Sequence, residues 1–208
     1  APYSSTLSEQ RDGDLRYFNI DVGYTLWRGA RARIGIFAGF HHLQEDVHAF
    51  GCVQSALNPL ICVPAIPTSV LAISEHTKWE SARLGLVADM HIARRLRLTG
   101  EAAWVPYTHI SAHDVHWLRL GTGLFDISGP IPESGNGYGY QLEAILSYAV
   151  SDRLQLGVGG RYWHMQTDGS TQFEHVIVGW PILPVAQPLD FETTRYGVFA
   201  QGSYRFGG

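Results

Sequence analysis

Seven stretches of this chain alternate apolar and polar residues position by position, and that period constrains its fold more than any other feature. A period of two belongs to a β-strand, whose successive side chains point to opposite faces. Between residues 14 and 27, Phe18, Ile20, Val22, Tyr24 and Leu26 fall on one face and Tyr17, Asn19, Asp21, Gly23 and Thr25 on the other. After a tight turn at 28–30 the pattern resumes with Ile34, Ile36, Ala38 and Phe40 against Arg33, Gly35, Gly39 and His41. It returns at 79–92, turns at 93–95, runs on from Leu96 through Trp104, and appears again at 137–150, from Leu154 to Tyr162 and from Tyr196 to Phe206.

The chain has no run of about 18 apolar residues, which excludes a helical membrane span. Charged residues make up only 16%, while Gly (23 residues) and aromatics (12%) are abundant, as in β-rich chains whose apolar residues sit at every second position. The net charge of -4 and the absence of a concentrated basic face argue against a nucleic-acid partner.

Short turns (28–30, 93–95, 151–153) alternate with long connections (about 46–78, 118–136 and 168–193). Short turns at one end and long loops at the other describe an antiparallel transmembrane β-barrel. Trp27, Tyr138, Tyr148, Tyr162 and Tyr204 would form its interfacial girdles, and Asp21, Arg33, Arg83, Asp89, Arg97, Glu101, Glu143, Arg161 and Gln201 its interior. A soluble sandwich or lipocalin-like barrel would show the same alternation with the opposite face wet; loop asymmetry and aromatic placement favour the membrane, and a bacterial outer-membrane location with the long loops extracellular. Barrels must close, and bacterial single-chain barrels have even strand counts. Seven strands therefore imply missing N-terminal strands or pairing with another chain. Residues 1–13 read as polar loop, no signal peptide is visible, and Ala1 is expected to follow a removed leader or to begin partway through a barrel. The whole of 1–208 is one domain.

Candidate chemistry lies at the far end of the stretch 96–119, LRLTGEAAWVPYTHISAHDVHWLR, where Asp114 and His116 share one face of an extended strand. A carboxylate that fixes the tautomer of a neutral imidazole, and stabilises the imidazolium, makes the ring a base able to take a proton from water. Asp114 would orient and His116 would be the base. Their parity is that of the lipid-facing Leu96, Leu98 and Trp104, so the strand must leave the bilayer or shift register before Asp114. Pro106 is where a bulge is expected, because proline cannot donate to the ladder.

Cys52 and Cys62, ten apart in the Pro-rich GCVQSALNPLICVP, are expected to form a disulfide in an oxidising compartment. His41, His42, His109, His113 and His116 raise the alternative of a rim metal site, but the spacing of His113 and His116 puts them on opposite faces of a strand; scattered surface histidines account for them better. Trp163, His164, Glu174 and His175 are further candidates for the same mouth. Arg31, Arg33, Arg94 and Arg95 belong to the short-turn, periplasmic side.

The strand order, and the stretches DLRYFNIDVGY, IGIFAGF, ARLGLVADMHI, AHDVH (112–116) and YGVFAQGSYRF, resemble the omptins, outer-membrane endopeptidases with ten-stranded barrels. The resemblance implies that the strands here are the last seven of ten, that Asp114 and His116 are half of a site completed by two aspartates on an earlier loop, that the substrate is a peptide or protein, and that lipopolysaccharide acts as activator, with no other cofactor. It also implies outer-membrane lipid as a partner. Where best-known members carry an acidic residue two before the dyad aspartate, this chain has Ala112, so a preference for basic cleavage sites does not carry over. The alternative reading is a non-catalytic barrel with a structural, adhesion or assembly role; a small pore is a third, unless interior charges pair and plug it.

Overall fold

A computed structural model describes residues 5–56, 61–121, 129–173 and 185–206. All but one short turn of its regular structure is antiparallel sheet: β1 (Thr6–Gln10), β2 (Asp14–Arg28), β3 (Ala32–Gln54), β4 (Ile66–Ala93), β5 (Leu96–His116), β6 (Ile131–Ala149), β7 (Leu154–Phe173) and β8 (Val185–Tyr204), with a 3-10 turn at Trp117–Arg119. From β3 to β8 each strand pairs with the next; β1 and β2 lie end to end along the free edge of β3. The segment expected to be loop before Gly13 thus supplies an eighth, short strand. Among the described residues β8 does not pair with β2, so the sheet is not closed. It is curled: the Tyr17 ring meets Trp163 edge-on at 4.7 Å, and Arg195 of β8 reaches Glu45 of β3.

The strands are far longer than the alternation suggested. β4 has 28 residues, whereas crossing a bilayer core takes roughly 9–11. Most of the connections expected at 46–78 and 168–193, and the end of the one at 118–136, are therefore strand: β3 continues to Gln54, β4 begins at Ile66, β6 begins at Ile131, and β7 and β8 extend to Phe173 and from Val185. The outward face shows where the apolar wall ends. Ile36, Leu86, Ala102, Leu142, Tyr162 and Tyr196 form one outward row. Above Trp104, Tyr107 and Tyr138 the rows become His42, Glu80, His109 and Asn136, then Gln44, Lys78, Ser111 and Ser134. An apolar band flanked by aromatics suits lipid, and a polar outward face suits water.

The inner face is layered. At the short-turn end Asp89 takes hydrogen bonds from Arg33 Nη2 (2.7 Å) and Arg97 Nε (2.8 Å). Above it the fully buried Arg83 donates to Gln141 Oε1 (2.7 Å), pairs with Asp21 (3.1 Å) and Glu101, and stacks on Phe37, while Arg161 Nε donates to Glu143 (2.9 Å). The interior charges thus compensate one another across strands. Gly85 makes room for Phe37; a Cβ there would collide with Phe37 Cζ. Higher still, Leu43, Trp79, Ile110, Trp163 and Met165 form an apolar layer, with Phe191 packed against it. At the top of β3, Cys52 and Cys62 are disulfide-bonded, their Cα atoms 5.7 Å apart.

Candidate functional site

The parity conflict on β5 is resolved at Pro106. The β5–β6 register shifts between Val105 and Thr108, and the β4–β5 register between Ala82 and Leu84. Before the bulge Trp104 points outward and Val105 inward; after it Thr108, Ile110 and Ala112 are all buried on the inner face. Asp114 and His116 follow that phase, so the bulge turns them from the apolar outward side to the concave side.

They stand above the apolar layer, where the strands have left the aromatic girdle. His116 Nε2–H donates to Asp114 Oδ2 at 2.8 Å, and both side chains are partly covered. That bond engages Nε2 and leaves Nδ1 as the nitrogen able to accept a proton. The other carboxylate oxygen, Oδ1, is buried and has no hydrogen-bond partner among the described residues. Trp117 Nε1 donates to Ser74 Oγ at 2.9 Å and ties the turn after His116 back to β4.

Two further carboxylates share this face, and neither was singled out from sequence. Glu75 of β4 lies directly opposite Asp114, and Glu133 of β6 lies opposite Ala112, one row nearer the apolar band. Glu75 accepts a hydrogen bond from Thr77 Oγ1 at 2.7 Å. Burial pushes the Glu133 carboxyl up to about 7, helped by the charges of Glu75 and Asp114 and opposed by His116. Thr171 of β7, opposite Glu133, is buried, and its hydroxyl has no partner among the described residues. The signal available for these residues was parity alone: Glu133 leads the inward series Gly135, Gly137, Gly139, Gln141 and Glu143.

The remaining candidates separate. His41 is not at the surface but fully buried beneath the site, between Asn19 and the Trp163 ring. Trp163 belongs to the apolar layer, while its neighbour His164 points outward, where its ring meets Tyr140 and Thr194; neither lines the mouth. His42, His109 and His113 are also on the outward face; His113 lies opposite His76, whose hydrogen bond holds the Asp46 carboxyl below the usual carboxylate range. Among the described residues no three His, Cys, Asp or Glu side chains converge as metal ligands. Glu174 and His175 lie outside the described residues.

No family profile matches this sequence, and no curated protein does. The fold, however, is that of a solved structure: the crystal structure of the outer membrane protease OmpT from Escherichia coli superposes with a TM-score of 0.72 at 15% sequence identity. The match covers 92% of this chain and 64% of that one. The chain therefore shares the antiparallel sheet fold of that barrel and spans less than two thirds of the matched chain's length.

Proposed function

We propose that this chain belongs to an outer-membrane barrel endopeptidase, oriented with its long strands toward the cell exterior, and that Asp114 and His116 activate the water that attacks the scissile peptide. The observation that carries this reading is the 2.8 Å His116–Asp114 hydrogen bond, turned inward by the bulge and set in a carboxylate-lined mouth above the membrane band. An imidazole whose Nε2–H is held by a carboxylate can accept a proton at Nδ1 as the water oxygen bonds to the carbonyl carbon, and can return that proton to the leaving amine nitrogen as the C–N bond breaks. Asp114 keeps the ring in the correct tautomer and stabilises the imidazolium between those steps.

Glu75 and Glu133 supply polar partners for a water beside the dyad. The apolar layer below, built on Trp79, Ile110 and Trp163, forms a dry floor that keeps a bound peptide in the mouth. Lipopolysaccharide is expected as an activator on the family resemblance alone. Ala112 is fully buried and leaves the position two before Asp114 without charge, so the residue preference is expected to differ from a basic one.

The test is cleavage of a quenched peptide library by detergent-purified, full-length protein with lipopolysaccharide added, run beside His116→Ala. Cleavage lost in the variant supports the dyad. Folded wild-type protein that cuts no peptide sinks the endopeptidase reading and leaves the mouth as a binding surface.

A further inference from the structure

The short-turn end of the sheet gathers charge of one sign. Eight of the chain's fifteen cationic side chains lie at or beside these turns, with only two of its nineteen carboxylates, Asp89 and Asp152. Asp89 is already engaged by Arg33 and Arg97. Arg94, Arg95, Arg153 and Arg205 have no ion pair among the described residues, yet they converge on a single cavity of about 210 Å³ whose lining includes Asp152 and His91.

Their convergence is built into the backbone. Ala149 N–H donates to the Arg95 carbonyl (2.8 Å), joining the β4–β5 turn to β6, and Arg205 N–H donates to the Arg153 carbonyl (2.9 Å), joining the end of β8 to the β6–β7 turn. Ser151 Oγ accepts from Leu154 N–H at 3.1 Å and tightens that turn. Guanidinium groups cannot relieve mutual repulsion by losing a proton, since arginine stays charged throughout the accessible pH range. The backbone of these turns is thus held together, and the four arginines, exposed and with one carboxylate among them, offer an anion from outside the chain a site of concentrated positive charge.

We propose that this cavity is a phosphate-binding site at the short-turn mouth of the barrel. Guanidinium forks match the oxygens of a phosphate in bidentate geometry, and His91, Ser151, Gln155 and Ser203 add polar groups around them. Trp27, Tyr148 and Tyr204, exposed near the same turns, put the cavity at the depth of lipid headgroups. The phosphate is therefore that of a glycerophospholipid headgroup in the adjoining leaflet or free inorganic phosphate. The site is independent of the peptidase reading and remote from the dyad.

The experiment is calorimetric titration of the full-length protein, in a phosphate-free non-ionic detergent at ionic strength fixed with sodium chloride. One arm uses inorganic phosphate and the other dihexanoyl phosphatidylglycerol below its micelle concentration. Saturable binding in either arm is expected, with affinity falling about tenfold or more in Arg94→Gln/Arg95→Gln and in Arg153→Gln/Arg205→Gln, and unchanged in Lys78→Gln at the opposite end. Binding of phosphate alone identifies a free-anion site; binding of the lipid alone identifies a headgroup site. Wild-type protein that saturates with neither probe, or arginine variants that fold and bind as wild type does, would overturn the proposal. Should the variants not fold, the wild-type arms against chloride decide it.

Discussion

The lower and upper halves of the same strands obey different rules. Below Trp104 and Tyr138 each strand is apolar outside and polar inside, and its inner charges are matched: Arg83 with Asp21 and Glu101, Arg161 with Glu143, Arg33 and Arg97 with Asp89. Above that line the outer face is polar, and the inner face holds Glu75, Asp114 and Glu133 around one imidazole. The lower half neutralises its charges, as a wall set in lipid would have to; the upper half keeps carboxylates close together, which is costly unless they do something. The two halves are separated by the apolar layer around Trp79 and Ile110 and joined through the Pro106 bulge.

The largest effect is expected from His116→Ala. If the upper half is catalytic, removing the base lowers kcat/KM by about 10²–10⁴-fold while the urea midpoint of the refolded barrel stays near wild type. A variant that cleaves as fast as wild type would make the upper half a mouth with no chemistry. Arg83→Met probes the lower half in the same way. Stripping the cation from Asp21 and Glu101 leaves two carboxylates without their partner and should cost about 3–5 kcal/mol in unfolding free energy, with little change in the chemistry above. A loss well under that range would mean that the lower charges are not compensating one another.

The boundary itself can be tested on one strand. Ala144 and Ser134 both point outward from β6, Ala144 between the aromatic rows and Ser134 above them. Ala144→Arg should destabilise the barrel by about 2–4 kcal/mol in a bilayer, and Ser134→Arg by about 0–1, read from urea unfolding in lipid vesicles. Equal costs would dissolve the distinction between the halves.

The same boundary explains what could be read from the sequence. Alternation marks a strand only where one face meets lipid or a core and the other does not, so the lower halves of β2 through β8 were legible, together with the short turns and the girdle aromatics. Beyond the girdle both faces are wet or partly wet. SEHTKWE, which is strand within β4, carries charge on either face, and the reading stopped at Trp79. That is why Glu75 and Glu133 were assigned to loops, and why Thr6–Gln10 was missed. The contact between Asp114 and His116 was legible because their spacing matches a strand, and its phase because a proline sat where the register had to shift. The burial of His41 was not legible, because a histidine on a polar face reads the same whether that face is wet or filled by Trp163.

Glu133→Gln is expected to give the smallest effect, and it tests the upper half most specifically. In the folded chain the Glu133 carboxyl holds its proton up to about pH 7, whereas an unfolded glutamate releases it at the ordinary value of 4.5. The folded state therefore binds more protons between those limits, and the stability linked to this group is full below about 4.5 and drains away as pH rises through 7. Glutamine fills nearly the same space and carries no charge, so that part of the pH dependence disappears: the variant should match wild type near pH 4 and exceed it at pH 8. Because the group is half exposed, solvent screening keeps the gain modest. The measurement is the difference between the two urea midpoints across pH 4–8, which cancels every group the two proteins share. A difference that stays flat would mean that Glu133 ionises freely at neutral pH, and that the carboxylates above the bulge are as well solvated as any on the outer face.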